Sequence, residues 1–237
     1  MTMSLGQLPL LDLIALGLLV LAWLTSGWLT EHPPKKLPSV SVLMEEYRRE
    51  WMRTFVTRVP RIFDATVIES LRQGTAFFAS ASLIAIGGGV AVIGNAAAVK
   101  RLASDLQLAG IAATTGPDVA LRMLPVVVLL ANALLKFVWA NRLFGYCSVL
   151  MAAVPNEPED RLAYHRAAQA GEINITAAKS FNRGLRSIYF ALAALGWLLG
   201  PWGLIAGTVL ATGVLLRREF ASTSRRVILM REPSGDR

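Results

Sequence analysis

Three stretches of the chain stay apolar for about 20 residues each, and a fourth stays apolar for about 30. Few folds accept such a pattern. A helix needs about 20 apolar residues to cross a hydrocarbon core of roughly 30 Å. No water is present there to satisfy the backbone of an open conformation. The first stretch runs over about 8–30 and is interrupted only by Asp12. The second covers about 74–94, and the third covers about 123–143 with Asn132 and Lys136 inside it. The fourth, about 187–216, would measure about 45 Å as one helix, longer than the core it has to cross. Gly200-Pro201 interrupts it midway, where proline removes a hydrogen bond from the helical ladder. Composition agrees: 54% of residues are hydrophobic and 17% are charged. A soluble domain carries about 25% charged residues. Disordered, collagen-like and disulfide-scaffold chains are excluded. The expected fold class is all-α, a polytopic helical membrane protein. It has three clear spans and one Gly-Pro-broken block, within a single integral membrane domain over 1–237.

Charge orders these pieces. The net charge is +8, with 24 Lys and Arg against 16 Asp and Glu. In a membrane protein this excess points to anchoring at an anionic lipid surface rather than to nucleic acid. The loop 31–73 holds eight Lys and Arg, the loop 95–122 three, the segment 144–186 five and the tail 217–237 six. No Lys or Arg precedes the first apolar run, so it reads as an uncleaved anchor with the N-terminus outside. The first and third loops then lie inside, as cytoplasmic loops rich in Lys and Arg prefer. A single kinked fourth span would place the six arginines of the tail outside. A hairpin would return them to the cytoplasm, although its halves are short for full crossings. The hairpin or re-entrant form ranks first on charge, and the kinked span stays open on length. The chain is expected in the cell membrane, multi-pass, with its C-terminus cytoplasmic.

The cytoplasmic segments 41–72 and 158–184 are expected to be helical. Met44, Tyr47, Trp51, Phe55 and Val59 recur at helical spacing, with Glu45, Arg48, Arg49 and Arg53 off that stripe. This pattern describes a basic amphipathic helix lying at the lipid interface and ended or kinked by Pro60. Residues 61–72 are expected to continue as helix into the second span. Prolines and acids at Pro155, Glu157, Pro158, Glu159 and Asp160 mark a helix start, with Gly171 as a weak point further on.

Candidate functional residues are few. A Lys at a helix centre costs roughly 2.5–3.5 kcal/mol on insertion, so Lys136 has to snorkel, pair or face the bundle interior. Snorkelling ranks first, because Lys136 lies about six residues from the inner end near Arg142. A polar seam of Asn132, Lys136 and Trp139 is the sharper reading. Asp64 or Glu69 is the expected partner of Lys136, and Asp12 is read as an interfacial helix start. Gly87-Gly88-Gly89 lacks the Lys and Ser/Thr of a phosphate loop and is read as close helix packing. Gly196, Gly200, Gly203 and Gly207 form small-residue ladders of the kind that let helix backbones approach. Cys147 is the single cysteine, and His32 and His165 lie far apart, so no metal site and no cofactor are expected. No G-x-S-x-G, H-E-x-x-H or Walker pattern is present, and no catalytic residue is assigned.

Several strings carry a resemblance in combination. They are Arg61-Ile62-Phe63-Asp64 leading to Gly74 and Phe77-Phe78-Ala79-Ser80, and Lys136-Phe137-x-Trp139-x-x-Arg142-x-x-x-Tyr146. Phe181-Asn182-Arg183-Gly184-Leu185-Arg186 follows and leads into Tyr189-Phe190-Ala191-Leu192-Ala193. Trp197-x-x-Gly200-Pro201-Trp202 and Arg217-Arg218-Glu219-Phe220-x-Ser222 complete the set. Together they resemble an uncharacterised domain-of-unknown-function family of bacterial and plant integral membrane proteins, over nearly the whole chain. The resemblance implies no activity. It directs attention to Asp64, Lys136, Arg142, Asn182, Arg186, Arg218 and Glu219, polar motif residues at the inner ends of the spans. They are expected to converge on one cytoplasmic-side cluster, either holding helix ends together or binding an anionic headgroup or small anion. The function expected is a non-enzymatic scaffold, accessory or lipid-contacting bundle, with a homo-oligomer or a membrane-protein partner. The alternative is a small-solute or ion transporter or channel using the seam around Lys136.

Overall fold

The computed structural model describes residues 9–105 and 116–230, and within them the regular structure is helical, with no strand. The basic residues Arg231 and Arg237 of the tail, and the middle of the 95–122 loop, lie outside the described residues. Helix α1 is Leu10–Glu31, α2 Val40–Thr57, α3 Ile62–Gly94 and α4 Ala96–Asp105. Helix α5 is Gly116–Ala152, α6 Ala163–Leu195, α7 Pro201–Phe220 and α8 Thr223–Ile228, with a 3-10 turn at Gly196–Leu199. Three helices, Leu10–Glu31, Ile62–Gly94 and Val119–Ala152, are long and apolar enough to cross a membrane. The second and third contain the spans read at about 74–94 and 123–143, and the first covers the span read at about 8–30 from Leu10 onward. The fold is all-α.

Local chemistry sets the helix ends. The Ser39 side chain accepts from the Val42 N–H at 3.2 Å and donates to the Thr30 carbonyl at 2.7 Å. That hydroxyl starts α2 and ties it to the end of α1. Helix α2 stops at Arg58, whose backbone is extended, just before the cis Val59-Pro60 bond. Helix α3 then starts at Ile62 and runs unbroken for 33 residues, so residues 62–72 join the second span in one helix. The third span is likewise the middle of a longer helix, 37 residues with Pro125 inside it. Helix α6 begins at Ala163, five residues after the start expected at Pro158. The acidic stretch precedes the helix, and Asp160 accepts from the Leu162 N–H at 2.7 Å. This side chain offers the backbone a turn in place of a helix. Gly171 causes no break.

The fourth apolar block is a hairpin, which excludes the kinked single span. Gly200 has φ +99°, a region that side chains avoid, and the chain reverses there. After the turn Gly203 lies against Gly196, and Gly207 lies against Ala193. That register is antiparallel. A Cβ at Gly207 would sit 2.8 Å from the Ala193 carbonyl oxygen, and Gly196 and Gly203 are closer still. Small residues at these positions allow the two backbones to touch. Gly200 is the exception among the four expected packing glycines: a Cβ there would meet nothing within 4 Å. It is required by the turn. Of the Gly87-Gly88-Gly89 run only Gly89 packs closely, with Val127.

The described chain forms two compact units. Among the described residues the first comprises 9–27, 80–105, 116–134 and 184–215, and the second comprises 28–79, 135–183 and 216–230. The first is cored by Ala15, Leu19, Met123, Phe190, Trp197 and Leu204. Asp12 is buried within it and accepts a hydrogen bond from Trp197 Nε1 at 2.5 Å. Asp12 thus lies in the first turn of α1, as a helix start, but is buried against Trp197. Its carboxylate is held by an indole donor that also needs a buried partner. Large apolar side chains on the outside of this unit, such as Ile84 at 76% and Leu210 at 69% exposure, are those a lipid solvent accepts.

The second unit is cored by Met52, Phe55, Val56, Ile68, Cys147 and Met151. Phe78, Phe137 and Phe181 pack in a triangle with ring centroids 5.4–5.5 Å apart, Phe78 stacked on Phe137 and edge-on to Phe181. The buried face of α2 differs from the stripe read in the sequence. Met52, Phe55 and Val56 are buried, whereas Met44 and Tyr47 are exposed. Gly171 explains the choice of face: a Cβ there would lie 3.3 Å from Met52 Cγ, so its absence lets α2 sit close on α6. Residue 48 lies one helical turn before Met52, which turns Arg48 inward as well.

Candidate functional site

The second unit contains a chamber of about 300 Å³ with charged side chains among its lining residues. The start of α2 contributes Ser41, Met44, Glu45 and Arg48, and α3 contributes residues from Ser70 to Thr75. Phe144 of α5, the 175–182 stretch of α6, and Arg218 and Glu219 of α7 complete the wall. Helix α7 ends here because the apolar repeat stops at Arg217, and basic residues favour the last turn of a helix.

The chamber is held by a hydrogen-bonded core. Glu219 Oε2 accepts from the Ser41 N–H and from the Ser41 hydroxyl, each at 3.0 Å. This places a carboxylate on the N-terminus of α2, where the helix dipole stabilises it. Asn182 Nδ2 donates to the same hydroxyl at 3.3 Å. On the other side Lys179 Nζ lies 2.9 Å from Glu45 Oε1, and Arg49 lies 3.7 Å from Glu45 Oε2. Arg49 also donates to Glu172 at 2.7 and 3.3 Å, and that bond holds the Glu172 carboxyl below its ordinary pKa. Arg183 and Glu31 form a two-pronged pair at 2.9 and 2.5 Å, which raises the Arg183 pKa.

Arg48 is the unusual member. Its guanidinium donates to Asn174 Oδ1, a neutral acceptor, and among the described residues it forms no ion pair. Burial lowers its pKa, the mark of a desolvated cation. Asn174 is fully buried and in turn donates to Cys147 Sγ at 3.6 Å.

The expected cluster of seven polar residues is brought together only in part. Asn182, Arg218 and Glu219 line the chamber. Asp64 is fully buried elsewhere in the unit, with Oδ1 accepting from Arg58 Nη1 and from Trp51 Nε1, both at 2.6 Å. It is not the partner of Lys136, and neither is Glu69, which lies 3.5 Å from Arg72. Nearby arginines on their own or adjoining helices reach these acids first. Arg142 donates to Tyr146 Oη at 2.5 Å one turn along its own helix. Lys136 is half-buried and forms no ion pair among the described residues, while its carbonyl accepts from Ser180 at 2.9 Å. Arg186 belongs to the first unit, its guanidinium 3.0 Å from where a Cβ on Gly27 would lie. Of the polar seam, Asn132 donates to Ser187 Oγ at 2.7 Å in the first unit, and Trp139 is exposed.

Sequence reasoning missed Arg48, Glu45, Lys179 and Ser41. A signal for Arg48 was present: it keeps helical step with Met52, Phe55 and Val56, the face that is buried. Glu45 and Lys179 meet only because α2 lies on α6. Among the described residues no group of His, Cys, Asp and Glu could hold a metal ion.

A model of the family described as "Protein of unknown function, DUF599" matches residues 14–224. Comparison with curated proteins and with solved structures gives no match. The match runs from α1 to the start of α8 and so takes in both units and the chamber, and on that extent the chain belongs to the family Protein of unknown function, DUF599.

Proposed function

We propose that the protein is a non-enzymatic helical bundle of the cell membrane, a scaffold or accessory subunit whose surface is in contact with lipid. The observation that carries this reading is the apolar outside of the long helices. On α3, Phe77, Leu83, Ile84 and Val90 are all more than half exposed. Water disfavours such a face, whereas lipid or a second membrane protein accepts it. The basic tail supports a cytoplasmic C-terminus. Arg225 Nε donates to the Pro38 carbonyl at 2.9 Å, so the tail and the Lys-rich loop after α1 lie together. Their shared charge suits the cytoplasmic leaflet, with the N-terminus outside. Anionic headgroups, another copy of the chain or a second membrane protein are the partners this surface fits. The test is purification in a mild detergent, followed by native mass spectrometry. Retained lipid, a retained protein partner or an oligomer is expected, and a bare monomer overturns the reading.

A second reading, a path for a small solute or ion, draws on Lys136, a half-buried residue that forms no ion pair among the described residues. The helix broken at Gly200 also suits it, since broken helices flank many transport sites. Flux into proteoliposomes that disappears in Lys136→Ala would favour it over the first.

A further inference from the structure

The charged groups around the chamber are not all paired with one another. Lys179 meets Glu45 at 2.9 Å, and Arg49 reaches the other oxygen of Glu45 at 3.7 Å. Arg218 has a partner of its own within the protein. Two lining groups remain, one of each sign. Arg48 has only the neutral Asn174, and Glu219 has only the N–H and the hydroxyl of Ser41. Neither forms an ion pair among the described residues. Both Ser41 bonds end on Glu219 Oε2, so Oε1 accepts nothing from a described residue. A guanidinium offers about five N–H donors, and Asn174 accepts from one of its nitrogens.

The two groups stand at opposite ends of one wall. Helices α2 and α6 run antiparallel along it, with Ser41 on Asn182, Glu45 on Lys179 and Arg48 on Asn174. Arg48 follows Ser41 by seven residues and Asn174 precedes Asn182 by eight, so both helices place the ends about 10–12 Å apart. An ion pair needs about 4 Å, so Arg48 and Glu219 do not pair with each other. Leaving a half-buried cation and a half-buried anion each without a counterion is costly, and one molecule carrying both charges relieves both. Each charged contact takes about 3 Å. The charges of such a molecule therefore lie about 5 Å apart if it sits in line between the two groups, and about 10 Å apart if it lies alongside them. A single amino acid spans at most about 3.6 Å, and an extended dipeptide about 7 Å. The rest of the wall suits small side chains, with Met44, Leu71, Phe144, Ile175 and Phe181 around it.

We infer that the chamber binds a short linear peptide as its zwitterion, a dipeptide by length, with the C-terminal carboxylate on Arg48 and the N-terminal ammonium on Glu219. The paired Glu45 and Lys179 lie midway and add no net charge, so both ends of the ligand are needed and neither suffices. The site is separate from the lipid-contacting surface described above and does not depend on it.

The test is isothermal titration calorimetry of the full chain in detergent. The probes are dialanine, alanine, and dialanine blocked at one end, either as the C-terminal amide or as the N-acetyl form. Dialanine should bind saturably. Each block should weaken binding on the order of tenfold, the worth of one hydrogen bond to a charged group, and alanine should bind more weakly than dialanine. Arg48→Gln should bind dialanine and its amide alike while still preferring a free N-terminus to an acetylated one. Glu219→Gln should show the reverse. The blocked peptides probe the same two contacts on the unmodified chain, so a variant that fails to fold does not shield the inference. Absence of saturable dialanine binding overturns it, as does indifference of the unmodified chain to either block, alanine binding as tightly as dialanine, or a folded variant that keeps the preference it should lose. Glycerophosphoethanolamine separates a peptide from a lipid headgroup, and its binding in place of dialanine overturns the peptide. Lipid or partner retention in native mass spectrometry, which tests the bundle reading, is unaffected by any of these results.

Discussion

Asp64 has none of its side chain exposed, and both of its donors, Arg58 Nη1 and Trp51 Nε1, bond the same oxygen. The second oxygen is buried without a partner. Such a carboxylate holds α2 to α3 through the indole and the guanidinium, and removing it strands both donors. Asp64→Ala is expected to lower unfolding stability by about 2–3 kcal/mol, read as a fall in the thermal midpoint in detergent. At the surface the Arg49–Glu172 pair makes a weaker, pH-dependent contribution. Glu172 has its pKa lowered from 4.5 by the Arg49 hydrogen bond. A group depressed in the folded state stabilises above its unfolded value, and that stability is lost as the pH falls through the folded value. The unmodified chain should therefore lose stability below about pH 4.5, and Arg49→Gln should flatten this part of the profile. Glu172 is 58% exposed, so added salt should shrink the difference. Stability midpoints across pH, at low and high salt, check both statements.

The hairpin from α6 through the 3-10 turn to α7 is the element on which the fourth apolar block depends. Its contacts are backbone on backbone, so side chains cannot be accommodated by repacking. Gly203→Leu and Gly207→Leu are each expected to cost about 1–3 kcal/mol or more, since the helices have to separate. Gly213 lies on the same helix with nothing within 4 Å of a Cβ, and Gly213→Ala should be neutral or slightly stabilising. Gly200→Ala acts differently. It meets no atom, yet φ +99° costs a side chain about 1–3 kcal/mol. Thermal unfolding of the four variants ranks them, and equal effects at Gly203 and Gly213 would sink the packing account. The small residues were visible as a ladder in the sequence. Spacing alone did not separate Gly200, which makes the turn, from Gly196, Gly203 and Gly207, which make the contact. Only the antiparallel register pairs Gly196 with Gly203.

For the whole molecule the return of the chain after Gly200 carries a topological consequence. Arg225 bonds the Pro38 carbonyl, and Tyr47 Oη donates to the Ile228 carbonyl at 3.5 Å, so residues 225–228 lie beside α2 and the loop before it. Cysteines placed at the exposed Lys36 and Ser224, with the buried Cys147 changed to Ala, should label from the same side of the membrane. That side should be the cytoplasm in cells. Labelling from opposite sides would contradict the hairpin.

The three helices long and apolar enough to cross a membrane and the all-α class were legible in the sequence, because lipid tolerates one backbone solution and writes it as about 20 consecutive apolar residues. The Gly-Pro break was legible too, and the basic tail ranked the hairpin first. Pairing was not. Asp64 and Glu69 were matched to Lys136 by depth, and the structure gives them to Arg58 and Arg72, which lie six and three residues away. The stripe on α2 reads as facing the lipid interface; Met44, Tyr47 and Val59 of it are exposed, but Phe55 packs inside the protein with Met52 and Val56, where Gly171 allows a close approach. That packing carries Arg48 into the chamber. Hydrophobic period records how much of a helix avoids water, and it leaves open which neighbour the helix meets. The angle at which α2 lies on α6, and so which cation is left facing a cavity, is a property of packing between segments more than 100 residues apart.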